Sequence, residues 1–215
     1  MVSIEGYIRV GMSLRVSLIF AFAKGVPGTT LIHIELLEDG SGLTKSDLKG
    51  TVFPKRKTDE GYVLHPIEIA YLLFTGKGIA FYKEKELSFI DYIGWVLRKL
   101  EGCNCPLERT FWSMFTVYYD LRKRNRKVLV EVRRDGTLIE VRRDKWWTEY
   151  LVLEEGIVIT VNDLLEWVEE VRANDLRGVV AVVDRNGSVT YYEASKVYLK
   201  GPDRPSVIDL LSSIS

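Results

Sequence analysis

The chain has 215 residues, 47% hydrophobic and 28% charged, with a formal net charge of zero. That composition can bury a core without staples, and it excludes a wholly basic nucleic-acid binder, a disulfide scaffold and a low-complexity chain. The longest apolar stretch, Val16–Ala23, falls far short of the roughly 18 residues of a membrane span. Met1–Glu5 lacks the basic and long apolar regions of a signal peptide. A cytoplasmic protein with no membrane contact is expected.

The predicted elements run strands first. Leu14–Ala23 is aliphatic and aromatic and reads as a buried strand. Thr29–Leu37 alternates, with Leu31, His33 and Glu35 on one side and Ile32, Ile34 and Leu36 on the other. Asp39-Gly40-Ser41-Gly42 breaks that pattern. Thr51–Lys57 reads as a short edge strand, since Pro54 cannot donate to a ladder. A helix is then expected from Pro66 to about Phe74, ended by Gly76 and Gly78. Ser88-x-x-Asp91 resembles a capping box that opens a second helix, with Phe89, Tyr92, Ile93, Val96, Leu97 and Leu100 as its apolar face. A third helix starts near Pro106 and carries Leu107, Phe111, Met114, Phe115, Tyr118 and Leu121 at helical spacing. It ends in Arg122-Lys123-Arg124, which complements the negative end of the helix dipole.

The second half reads as α/β. Val128, Val130 and Val132 alternate, and Asp135-Gly136 turns the chain into Leu138–Val141. Tyr150–Leu153 is a short strand. Asn162 is placed to cap a helix carrying Leu164, Leu165, Val168 and Val171. Val179–Val183 is a continuous branched run, as in a strand buried on both faces. Asn186-Gly187 turns it into Val189–Glu193. Three parts follow: an N-terminal mixed α+β domain over 1–104, a second domain over 105–200 and a tail over 201–215.

Charge is unevenly placed. Residues 122–145 hold ten Lys/Arg against four Asp/Glu, whereas residues 146–175 hold one Arg against eight Asp/Glu. One basic and one acidic face are expected. Cys103 and Cys105 cannot complete a zinc site alone, and a reduced pair in a turn is the favoured reading. His33 and His65 cannot supply a multi-His metal site, and each is read as structural. Gly76-Lys77-Gly78 lacks the spacing of a phosphate-binding loop, and helix termination explains its glycines. No metal or cofactor is expected.

Several stretches in order carry a resemblance. They are Pro66–Lys77, Val117–Arg124, Trp147-Thr148-Glu149-Tyr150-Leu151-Val152-Leu153, and Val179–Asp184 with Val189–Glu193. Together they resemble archaeal-type tRNA-splicing endonucleases. The resemblance implies an α/β (overall α+β) chain whose second domain is a nuclease fold with a central mixed sheet flanked by helices. It also implies metal-independent cleavage through attack of the ribose 2′-hydroxyl, with a Tyr, a His and a Lys in the site. In this chain those positions fall on Arg142, on Trp147, and on either Leu176 or Arg177. Arginine stays protonated, and an indole has no titratable proton to give. The resemblance therefore implies a structural, non-catalytic subunit that assembles with a catalytic subunit of the same family, two copies of each, on precursor tRNA.

The implied subunit interface is Asp184, Val189, Tyr191 and Tyr192, on an edge strand able to pair with another chain. The implied RNA contacts are Arg122, Lys123, Arg124, Arg126, Lys127, Arg142, Arg143 and Lys145, which suit phosphate binding. Trp146-Trp147 fits stacking on a base or, as the favoured reading, packing at a subunit seam. An active endonuclease with altered site residues and a repurposed RNA-binding or scaffolding module are the competing readings.

Overall fold

The computed structural model describes residues 31–46, 48, 57–102, 105–130, 136–142 and 145–194. The expected strand Leu14–Ala23, most of the expected strand Thr51–Lys57, Arg143 and the 201–215 tail lie outside the described residues.

The first half is a five-stranded sheet with two helices. Strand β1 (Ile32–Leu36) follows its sequence alternation, burying Ile32, Ile34 and Leu36 and exposing His33 and Glu35. It pairs with β2 (Gly42–Thr44), which pairs with β3 (Tyr62–Leu64). On its other side it runs parallel to β4 (Gly78–Tyr82), and β4 turns into β5 (Lys85–Leu87). Helix α1 (Pro66–Phe74) starts where its sequence says. The His65 Nδ1 accepts from the Ile67 amide at 3.2 Å, and the Glu68 carboxylate accepts from the His65 amide at 2.8 Å. Two orphan donors are thereby satisfied, and His65 serves as a helix cap. Ser88 and Asp91 form the matching capping box of α2 (Phe89–Leu100).

The second half begins with α3 (Pro106–Lys123) and builds a second sheet from β6 (Val128–Val130), β7 (Thr137–Arg142), β8 (Lys145–Glu154), β9 (Arg177–Val183) and β10 (Val189–Ala194), with α4 (Val161–Ala173) between β8 and β9. The strand order is β10-β9-β8-β7-β6. Only β8 and β9 are parallel, as a connection through a helix requires. The expected mixed α+β architecture is present.

One core extends from Ile32, Ile34 and Leu36 of the first sheet through Phe111, Met114, Phe115 and Tyr118 of α3 to Val179, Ala181 and Val183 of β9. Aromatic edges join the halves: Tyr71 meets Tyr118 at 5.5 Å and Phe74 meets Phe115 at 5.6 Å. A smaller core of Leu151, Val180, Trp167, Val168 and Val171 seats α4 on the other face of the second sheet.

Three expectations need correction, and one hairpin has no counterpart among them. Strand β8 spans ten residues, from Lys145 to Glu154, where a short strand over Tyr150–Leu153 is predicted. Its first three residues, Lys145, Trp146 and Trp147, are all exposed, so no alternation of buried and exposed residues marks the start of the strand. The cap of α4 is Thr160, whose hydroxyl accepts from the Asp163 amide, and Asn162 lies inside the first turn. The β4–β5 hairpin turns on Lys83 and Glu84, both at positive φ, with no Gly or Asn to announce it. Cys105 is disulfide-bonded, against the favoured reading of a reduced pair. Cys103 lies outside the described residues.

Candidate nucleic-acid interface

A row of side chains crosses the second sheet on the face that α3 covers. Glu140 of β7 pairs with Thr148 of β8, and Thr148 pairs with Arg177 of β9. Alternation puts Arg142, Tyr150, Tyr191 and Glu193 on the same face, beside the C-terminal end of α3. Next to the row the β7–β8 register slips: Val141 pairs with Trp146, so Trp147 is an extra residue. Such a bulge bends the strand and re-aims its side chain. Trp147 is 47% exposed, and the Arg142 guanidinium sits 5.0 Å from its ring centre.

Glu140 organises the row. It is only 2% exposed. One carboxylate oxygen accepts from Arg126 Nη1 at 3.0 Å and from Arg142 Nε at 2.8 Å, while the other accepts from the Tyr150 hydroxyl at 2.7 Å. Burial pushes the carboxyl pKa up, but the bonds from Arg142, Tyr150 and Arg126 outweigh it and leave the pKa below the usual range. Burial and the bond to Glu140 push the Tyr150 phenol well above its ordinary value.

Two further pairs flank this centre. Arg177 makes a two-pronged contact with Glu193, at 2.9 and 2.6 Å. The Tyr191 hydroxyl donates to Asp120 at 2.7 Å, and Arg124 joins the same carboxylate at 3.0 Å while lying 5.5 Å from the Tyr191 ring centre. Burial first, and Asp120 second, hold the Tyr191 phenol far above its usual range.

The chemistry of this cluster is therefore ionic. Four guanidiniums face three carboxylates, and both phenols keep their protons at neutral pH. Neither histidine is near: His65 caps α1, and His33 lies on the first sheet with its ring 6.1 Å from that of Phe81. Among the described residues, no three His, Cys, Asp or Glu side chains group to hold a metal.

The sequence-predicted residues distribute as follows. Arg142, Trp147 and Arg177 come to one end of the sheet, with Arg124 and Arg126 beside them. Lys123, Lys127 and Lys145 are exposed at its rim, and Arg122 lies against Tyr71 and Tyr118. Asp184 folds its own turn, its carboxylate accepting from the amides of Asn186 and Ser188 at 2.8 Å each. Val189 and Tyr191 face inward under α3, and Tyr192 is 57% exposed on the opposite face. Sequence reasoning missed Asp120, Glu140 and Glu193 as the partners of the arginines, and Tyr150 as a donor to Glu140. For Glu140 a signal existed, because it shares the inward parity of Leu138 in β7.

The order of these elements, from within α3 to β10, is also the extent of a family match. Residues 111–191 match the family model of the tRNA intron endonuclease catalytic C-terminal domain. The match makes this segment similar to the C-terminal domain of tRNA intron endonucleases. It runs from Phe111 inside α3 to Tyr191 inside β10, and takes in β6 to β9 and α4 whole. Arg124, Arg126, Arg142 and Arg177 thus all lie within the segment that matches the tRNA intron endonuclease model. No curated protein matches the chain. No helix among the described residues is long and apolar enough to cross a membrane.

Proposed function

We propose that this chain is the structural, non-catalytic subunit of a hetero-oligomeric tRNA-splicing endonuclease, joining a catalytic subunit of the same family on precursor tRNA. The observation that carries the reading is the proton inventory of the row. Cleavage through a 2′-hydroxyl needs groups that give and take protons near neutral pH. The described row offers guanidiniums, an indole and phenols held in the protonated form. Those groups bind and orient an anion without moving a proton.

Two features support assembly. Strand β10 is an edge of the second sheet, and an edge offers main-chain groups to another strand. On the α4 side of that sheet Ile157, Val158, Val161 and Leu165 are exposed, at 52%, 91%, 72% and 38%. Tyr192 projects to the same side as Ala194, which packs into the α4 core. An apolar group of this kind marks a contact surface.

The test is cleavage of an intron-containing precursor tRNA. The pure chain is expected to leave it intact, and cutting is expected once a catalytic paralogue is added. Cutting by the pure chain selects the competing reading of an active enzyme. Tyr192→Lys is expected to abolish mixed assembly in light scattering while leaving the monomer's melting temperature unchanged. Failure of any family paralogue to associate with the unmodified chain selects the scaffolding module.

A further inference from the structure

The Gly76-Lys77-Gly78 turn holds one lysine in a defined place. Gly76 adopts φ +65°, its amide bonds to the Leu73 carbonyl, and the Lys77 amide bonds to the Leu72 carbonyl. The Lys77 carbonyl accepts from Ile32 of β1 at 3.0 Å. At Gly78 a Cβ would stand 3.0 Å from that of Leu72 and 3.3 Å from the Ile32 carbonyl oxygen, so glycine permits the close approach. The backbone of Lys77 is fixed on both sides, while its side chain is exposed.

That side chain points toward the joint between the two halves. Lys77 Nζ lies 5.8 Å from the centre of the Tyr71 ring, and the Arg122 guanidinium lies 5.1 Å from the same ring and 5.7 Å from that of Tyr118. Tyr71 is 6% exposed, so the ring is a fixed platform. A ring attracts a cation without cancelling its charge. A carboxylate does cancel it, and Arg124, Arg126, Arg142 and Arg177 all sit on carboxylates. Lys77 makes no ion pair among the described residues. It therefore brings an uncompensated positive charge to the basic end of α3, from outside the segment 111–191.

We propose that Lys77, set beside Arg122 on the Tyr71 ring, is an RNA phosphate contact that extends the basic surface of the second half onto the first. The site takes a backbone phosphodiester and reads no base. The proposal rests on the RNA-binding reading above.

The experiment measures affinity of the full chain for a precursor-tRNA transcript across a salt series. One lost phosphate contact lowers the slope of log affinity against log salt by about 0.7 to 0.9. Lys77→Ala is expected to show that loss and to weaken binding alike for transcripts of different sequence. Lys77→Arg is expected to restore the slope. Lys85→Ala, which removes an exposed charge on β5, is expected to leave it unchanged. If Lys77→Ala keeps the wild-type slope while Lys127→Ala, at an exposed lysine of the rim, reduces it, the Lys77 contact is overturned and the RNA-binding reading stands. If the unmodified chain shows no salt-dependent affinity for RNA, both fail together.

Discussion

Glu140 shows how one side chain sets the character of a site. It is an acid on the inward parity of a strand, and burial alone would drive it to the neutral form. Two guanidiniums and a phenol reverse that preference. A carboxyl whose pKa is lowered by folding adds stability above its unfolded pKa, and that contribution fades as pH falls through the lower folded value. Glu140→Gln is therefore expected to cost about 1–3 kcal/mol at neutral pH, the range for hydrogen bonds to a charged group. The difference from wild type should shrink on acidification below the ordinary carboxylate range, as read by thermal melts across pH. A gap that stays constant to acid pH would show that Glu140 is not ionised in the fold. The sequence names Arg142 and Trp147 as altered positions, but it does not show that Arg142 is divided between Glu140 and the Trp147 ring. That division depends on a one-residue register slip, which leaves no compositional mark.

Among the elements, legibility followed local chemistry. Helices α1, α2 and α3 were readable because their signals are local: a proline at the first turn, a capping box, and apolar residues at helical spacing. The β4–β5 and β2–β3 pairs were not, since three-residue strands carry too little pattern and the Lys83-Glu84 turn has no turn residues. Glycine roles divide in the same way. A Cβ on Gly42 would meet Ile34 Cγ2 at 2.5 Å and Ile69 Cδ1 at 2.9 Å, where β2 lies against α1. Gly42→Ala is expected to destabilise by about 1–3 kcal/mol through overpacking. On α2, a Cβ on Gly94 would meet only the Arg98 guanidinium, at 3.6 Å. Gly94→Ala is expected to stabilise by about 1 kcal/mol through helix propensity. Urea denaturation of both variants checks the pair, and equal effects of one sign would refute the packing account.

At the scale of the molecule, α3 is the member both halves share. Its aromatic residues meet Tyr71, Phe74 and Phe89 of the first half, and it touches every strand of the second sheet, β8 most. Phe115→Ala is expected to cost about 3–5 kcal/mol and to lower the stability of both sheets in a single transition. Hydrogen exchange checks this: amides of β4 and β9 should lose protection together, and loss confined to β4 would mean that the halves unfold independently. The same helix carries Arg122 to Tyr71 and Arg124 to Tyr191, so packing of the core also places the basic surface.

The sequence by itself determined the element types wherever a cap, a proline or a periodic face was present. It also determined the mixed architecture of the second half and the absence of a histidine at position 147. Those properties are local or compositional, and a linear pattern records them. Tertiary structure decided which acid neutralises which arginine, how Trp147 is aimed, and that Lys77 and Arg122 share one ring across 45 positions of chain. These are pairings between distant residues, fixed by strand register and helix packing, and no single stretch of sequence contains them.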